Sequence, residues 1–445
     1  MKKILSLALL TGMTLVFTGC AGEEEDLFAT SAAERLSSAM VTYSNRLADS
    51  GGKWAMEYYP TNGLEAPQGL GYLMLLDFGK DNSVKVAMDN NFTNNVYKED
   101  ESIWEMIADN GPVLTFNTYN ECMHAFSDPK DIPFTKDKET GLGAEGDYEF
   151  MVLDLGENAT EGMLKGKKRG VYDRIVRLPA DTDFPTYMAD INSFRNTVFP
   201  SGAPNYTLLN IGENVFRIDT IFKGIPNIYP FGKDAIIYES FHPYLITKHD
   251  GKYYLRFRDV FDAVGGIEVQ EFVYDEDAQQ FNAVNHPEYT ITGANPNYFF
   301  GEWIGENKVW QYSRNKAISA SMDVLFAALI SDLSALKYTF QNLQIAKSGE
   351  SVSMDFTFRS GTKTGKASYI FTMEYNNGGV KLVYKEPKDA SSANVLSKAP
   401  GMQALLDKFT GNYLVSASAV KFNLGSVRLT SVDNSEDWLE LSATR

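Results

Sequence analysis

Between Leu114 and Pro129 the chain reads LTFNTYNECMHAFSDP, the one stretch in which a thiol, an imidazole and carboxylates crowd together. A Cys and a His in contact are a nucleophile and its base, provided the thiolate forms and is reachable. If the stretch is extended, alternate residues share a face. Leu114, Phe116, Thr118, Asn120, Cys122, His124 and Phe126 then lie together. Cys122 and His124 meet on that face, but Leu114, Phe116 and Phe126 surround them. In a helix, residues two apart point in nearly opposite directions, so only the extended reading pairs them, and it also buries them. A thiol among apolar groups has a raised pKa, and neither an oxyanion hole nor an orienting group for the imidazole is visible. The stretch therefore reads as a packed wall, closed by the turn formers Ser127, Asp128 and Pro129.

Other chemistry is thinner. The four histidines, His124, His242, His249 and His286, include no pair at the i, i+4 spacing of a helical zinc site. KDKETGLGAEGDYE, Lys136 to Glu149, is rich in acids and glycine but lacks the register of a calcium loop and reads as a polar connector. Walker, dinucleotide and nucleophile-elbow motifs are absent, so neither a metal nor a cofactor is expected. Asp147 and Glu149, two apart in an expected strand, would share a face at roughly 7 Å, a separation glycosidases use. They carry an alternative reading as a hydrolase of peptide or glycan. The segment NYFFGEWIGENKVWQY places Tyr298, Phe299, Phe300, Trp303 and Trp310 among glycines without a clean period. Any of these rings left exposed would offer a stacking surface to a ligand, and the competing expectation is packing between domains.

The elements that must position these groups are mostly short alternating segments rich in aromatic and β-branched residues: KWAMEYYP, GYLMLLDFG, SVKVAM, PVLTFNTYN, GDYEFMVLDL and GVYDRIVRL. Asp250-Gly251 and Asn377-Gly378 mark tight hairpins. Ser31 and Glu34 have capping-box spacing at the head of a helix carrying Leu36, Met40, Tyr43 and Leu47, which ends at Gly51 and Gly52. Further helices are expected around TYMADINSFRNTVF, along the stripe Met322, Leu325, Leu329, Leu333 and Leu336, and from Met402 to Phe409. The expected class is α+β, mostly antiparallel sheet in a meander, barrel-like or sandwich-like, with a few packed helices and two or three lobes.

The chain begins MKKILSLALLTGMTLVFTGC: two lysines, an apolar run from Ile4 to Phe17, and Gly19 before Cys20. This is the pattern of a secretory signal too short to span a bilayer comfortably. VFTGC resembles the lipobox of bacterial lipoproteins, with Phe17 where Leu is usual, and makes Cys20 the expected lipidation site. Residues 1–19 are read as signal peptide, 20–30 as a lipidated acidic tether containing Glu23 to Asp26, 31–204 as an α+β domain, and 205–445 as a β-rich region with helices in one or two lobes. Removing the leader with Lys2 and Lys3 takes the formal charge from −17 to −19, which repels phosphate and excludes nucleic acid as an expected partner. The basic run LKGKKRG, Leu164 to Gly170, reads as a solvated hairpin tip. Cys122 is left without a disulfide partner.

LTFNTYN, MHAFSDP, GDYEF and LKGKKRG, in that order after the lipobox and KWAMEYYP, resemble an uncharacterised family of Bacteroidetes surface lipoproteins known only as a domain of unknown function. The resemblance implies an outer-membrane protein held by its lipid anchor, facing the cell exterior. It also implies an accessory role beside a TonB-dependent transporter and its substrate-binding lipoprotein in nutrient uptake. It supplies no catalytic residue. Its motif residues Tyr119, Asn120, His124, Asp147, Tyr148 and Glu149 have no assigned role. A non-enzymatic binding protein is the leading expectation, with a surface hydrolase or a structural subunit of the transporter complex as alternatives.

Overall fold

The structure is a computed structural model that describes residues 30–445 except 130–142, 157, 159, 202–205, 233–235, 237 and 419. The leader, Cys20 and the tether up to Ala29 lie outside the described residues, as does the 136–142 part of the acidic connector. The described chain is α+β and mostly antiparallel sheet, arranged as three eight-stranded sheets with six α-helices. Of the two architectures the sequence left open, two of the sheets take the barrel.

The first barrel is an up-and-down meander: β1 (Lys53–Tyr58), β2 (Tyr72–Phe78), β3 (Ser83–Met88), β4 (Lys98–Ala108), β5 (Pro112–Phe116), β6 (Glu149–Leu155), β7 (Glu161–Gly166) and β8 (Tyr172–Arg177). It closes where β1 pairs antiparallel with β8, Met56 opposite Ile175. Alternation sends Trp54, Met56 and Tyr58 of β1, Met74, Leu76 and Phe78 of β2, and Val84 and Val86 of β3 into one core. An apolar interior with Lys85, Glu99 and Glu101 outside is the reverse of a barrel whose outer wall meets lipid. No described helix is long and apolar enough to cross a membrane. Sequence reading missed β4, whose opening KEDES is charged on both faces, and β7, four of whose six residues are glycine or charged.

Helix α1 (Ala32–Ala48) begins at the expected capping box, with Glu34 N donating to Ser31 Oγ and Ser31 N to Glu34 Oε2. Leu47 and Tyr43 of its apolar stripe pack on the first barrel's core. The chain then turns through Gly52 at φ 67°, where a Cβ would sit 2.2 Å from the Phe78 carbonyl oxygen, so glycine is required on both counts.

The second sheet comprises β9 (Thr207–Ile211), β10 (Asn214–Asp219), β11 (Asn227–Pro230), β12 (Tyr244–His249), β13 (Lys252–Val264), β14 (Ile267–Asp275), β15 (Gln280–Ala283) and β16 (Thr290–Gly293). Its spatial order is β11-β10-β9-β16-β15-β14-β13-β12. The two edges come together: Tyr244 N donates to Gly224 O, His242 N to Pro226 O, and Ile228 N to Ser240 O. The segment leading into β12 thereby covers β11, and the sheet curls almost into a third ring. Asp250 and Gly251 both have positive φ, as a type I′ hairpin demands. Helix α2 (Phe184–Val198) fills this sheet with Tyr187, Met188 and Ile191. The same core takes in Ala55, Leu75 and Ala87 from the outer wall of the first barrel, and Phe422 from the loop between Ala417 and Ser426 of the third sheet.

The third sheet is the second closed barrel: β17 (Val309–Ser313), β18 (Thr339–Ser348), β19 (Ser351–Ser360), β20 (Lys363–Asn376), β21 (Gly379–Pro387), β22 (Gly411–Ala417), β23 (Ser426–Ser431) and β24 (Trp438–Thr444). Helix α3 (Pro296–Trp303) packs against its wall. So do α4 (Ala320–Ala335), which carries Met322, Phe326, Leu329 and Leu333 inward, α5 (Ala390–Lys398) and α6 (Pro400–Phe409).

Candidate functional site

The stretch that opened the sequence analysis is not a strand beyond Phe116. Asn120 is fully buried, and its Oδ1 accepts N–H groups from Cys122 and Met123, both at 3.0 Å, while its Nδ2 donates to Asp100 O and Ser102 Oγ. This side chain bends the backbone, and a short helical turn spans His124–Phe126. The expectation that Cys122 and His124 share a strand face is therefore overturned. Cys122 points into the first barrel's core, its thiol near Lys98 O at 3.7 Å, and burial pushes its pKa up to about 12. A thiol held neutral in that way is no nucleophile.

His124 instead joins the other family-motif residues. Its Nδ1 accepts Asn120 N–H at 3.1 Å, and burial lowers its pKa. Its ring lies between Tyr119 and Tyr148, at centroid distances of 5.2 and 4.7 Å and tilts of 33° and 30°. Tyr119 is 62 % exposed and Tyr148 39 %. Asp147 does something else: its Oδ1 accepts the Lys168 N–H and its Oδ2 the Arg169 N–H at 2.7 Å, clamping the β7–β8 hairpin. Burial raises its pKa, against those two N–H groups. Glu149 pairs with Lys167 at 3.1 Å, and Lys167 also reaches Asp109. Asp147 and Glu149 thus have separate structural duties, and the geometry gives them no shared substrate position. LKGKKRG is a hairpin in which Lys167 and Arg169 are ion-paired.

The aromatic segment 298–310 also differs from an exposed stacking surface. Asn295 caps α3 and Pro296 occupies its first turn, a start signal that went unread. The helix turns Phe299, Phe300 and Trp303 into the third sheet's core beside Trp310, with Phe300 and Trp310 stacked at 5.2 Å and 3°. Tyr298 alone stays half-buried, edge-on to Phe231 and Tyr375.

Two arrangements lay outside sequence reasoning. Ser240 Oγ and His242 Nε2 are 2.9 Å apart, but His242 Nδ1 is buried without a hydrogen-bond partner among the described residues, so nothing orients the imidazole as a base. Ser240 serves the sheet closure instead, its N–H bonded to Asn227 Oδ1.

The other is a half-open cleft of about 590 Å³ between the β7–β8 side of the first barrel and the β12–β13 hairpin of the second sheet, lined by Thr160, Glu161, Arg174, Val176, His249 and Asp250 among others. Its floor is ionic. Arg174 bonds Glu161 at 2.8 Å, Glu57 at 3.5 Å and Glu271, while Arg256 holds the second Glu57 oxygen at 3.1 Å. Burial raises the Glu57 pKa, against the pull of Arg256 and Arg174. Burial likewise lowers the His249 pKa. That ring stacks on Tyr254 at 3.8 Å and 6°, and its Nε2 is buried without a partner among the described residues. A cleft of this size suits a small ligand. Among the described residues no group of three or more His, Cys, Asp or Glu is placed to hold a metal ion.

Two closed barrels with packed cores and a curled eight-stranded sheet define a multi-barrel antiparallel β protein. The family model described as Domain of unknown function (DUF4302) matches residues 24–276, more than half of the chain, and the chain belongs to that family. The match takes in the first barrel and the second sheet through β14. No curated protein matches. Among solved structures, the crystal structure of the beta subunit from DNA polymerase of Streptococcus pyogenes aligns at 10% identity over 92% of this chain and 96% of that one, with a TM-score of 0.13. A likeness that loose carries no argument.

Proposed function

We propose that this protein is an outer-membrane lipoprotein, held by acyl chains on Cys20 and facing the cell exterior, that captures an extracellular ligand without converting it and serves a TonB-dependent transporter. The lipobox and acidic tether support the anchor, since two or three acyl chains hold a protein durably where one does so only marginally. The cleft carries the binding half of the reading: it joins two sheets, has the volume of a small-ligand site, and is lined by His249 and the buried Arg174.

The test uses the mature chain with Cys20→Ser and titrates it calorimetrically with oligosaccharides, short peptides and metal chelates. One class is expected to bind, and Thr160→Trp, which places a large ring at the cleft wall, is expected to weaken that binding. Flat titrations in all three classes would refute capture, and undiminished binding by Thr160→Trp would refute the cleft. Independently, envelope fractionation should lose the protein on Cys20→Ser.

A further inference from the structure

The Tyr119, His124 and Tyr148 stack has no structural task that explains its exposure. Tyrosine rings left in water at 62 % and 39 % exposure cost solvation without adding to a core, yet the backbone beneath them is held from both sides. On one side Asn120 anchors the loop through its own side chain. On the other, Asp147 clamps the hairpin, and the Tyr58 hydroxyl donates to Asp147 O at 2.9 Å. His124 is tied to Asn120 and separates the two tyrosines. The result is a row of three tilted rings on the rim of the first barrel, carried on backbone fixed from both sides, which lowers the cost of ordering the surface on binding.

The charges around the column decide what it fits. Glu121 is paired with Lys98, Glu149 with Lys167, and Glu145 with Arg169. Asp147, next to Tyr148, has no ion pair but accepts the Lys168 and Arg169 N–H groups, so the patch offers a cationic ligand little free counter-charge, while the chain's overall −17 repels anions. Neither tyrosine hydroxyl bonds another described residue. Flat apolar faces bordered by hydroxyls and paired ions match a neutral sugar, whose ring presents C–H groups on one face and hydroxyls at its edge. We infer that Tyr119 and Tyr148, spaced by His124, form a stacking site for a neutral oligosaccharide, separate from the interlobe cleft.

Calorimetric titration of the mature Cys20→Ser chain with maltohexaose, cellohexaose, xylohexaose and mannohexaose tests this, beside a heparin hexasaccharide and a tyrosine-rich peptide. At least one neutral hexasaccharide is expected to bind, with Tyr119→Ala and Tyr148→Ala each weakening it roughly tenfold. Tyr119→Phe should keep most of the affinity, and thermal melts should be unchanged because both rings are exposed. The inference fails if none of the four neutral hexasaccharides binds, if only heparin or the peptide does, or if binding survives both alanine variants. Binding lost in Thr160→Trp but kept in Tyr119→Ala would likewise overturn it while supporting the cleft.

Discussion

Asp173 lies inside the first barrel, on the same face of β8 as Ile175, with one oxygen accepting Tyr59 N–H at 2.8 Å. Burial pushes its pKa well above the ordinary carboxylate value, against the Tyr59 N–H, and Asp147 and Glu57 push the same way. A carboxyl whose folded pKa exceeds its unfolded one takes up a proton on folding. Its contribution is complete below the unfolded value near 3.9 and is lost as pH rises through the folded value. Asp173→Asn keeps the acceptor for Tyr59 and removes the titration. It should therefore gain roughly 1 kcal/mol at pH 8 and depend less on pH; urea midpoints at pH 5 and pH 8 check this, and a variant weaker than the parent at pH 8 would refute it. Such residues are poorly legible in sequence. Asp173 is one acid among 58 acidic residues, and only the barrel's closure puts it inside. Cys122 shows the opposite failure: the period-two pattern runs on through Asn117 and Asn120, although asparagine is a turn former and Asn120 does turn the chain.

At the scale of elements, what could be read was what local chemistry dictates. The Ser31–Glu34 box and the Asp250-Gly251 and Asn377-Gly378 hairpins stand where their residues put them, because each is specified within four positions. Helix α3 was illegible for the complementary reason: two turns interrupted by Gly301 are too short to show a period. That glycine has a packing reason, since a Cβ there would lie 2.3 Å from the Tyr375 ring. Tyr375 in turn donates to Glu302 at 2.7 Å and so holds the helix to β20. Gly301→Ala must displace that ring and should cost about 1–3 kcal/mol, despite alanine's better helix propensity. Chemical denaturation reads the cost, and an unchanged or raised midpoint would show that the ring moves freely.

Across the whole molecule, the first barrel and second sheet share an apolar core and, beside it, the ion cluster of Glu57, Arg174, Arg256, Glu271 and Glu161. No spacing announces this cluster: its members come from five strands of two sheets, and only packing selects the partners. Removing the central acid leaves the Arg256 guanidinium in the interface without its carboxylate, while Arg174 keeps Glu161 and Glu271, so Glu57→Ala should cost about 3 kcal/mol. Thermal unfolding should show that loss as a lower transition for both lobes together. A fall confined to one lobe would mean the interface contributes little to either.

The covering of β11 by Ser240–Tyr244 reaches beyond stability. An uncovered strand margin is a template on which a foreign extended chain can zip itself, the route by which β-rich proteins polymerise or are hijacked as scaffolds. Two sheets of this molecule are rings and the middle one covers its β11 margin, so neighbours crowded beside that margin find no ready seam to extend. Cutting Ser240 out of that fastening should open one, and fibril-like growth at high concentration would be its visible sign.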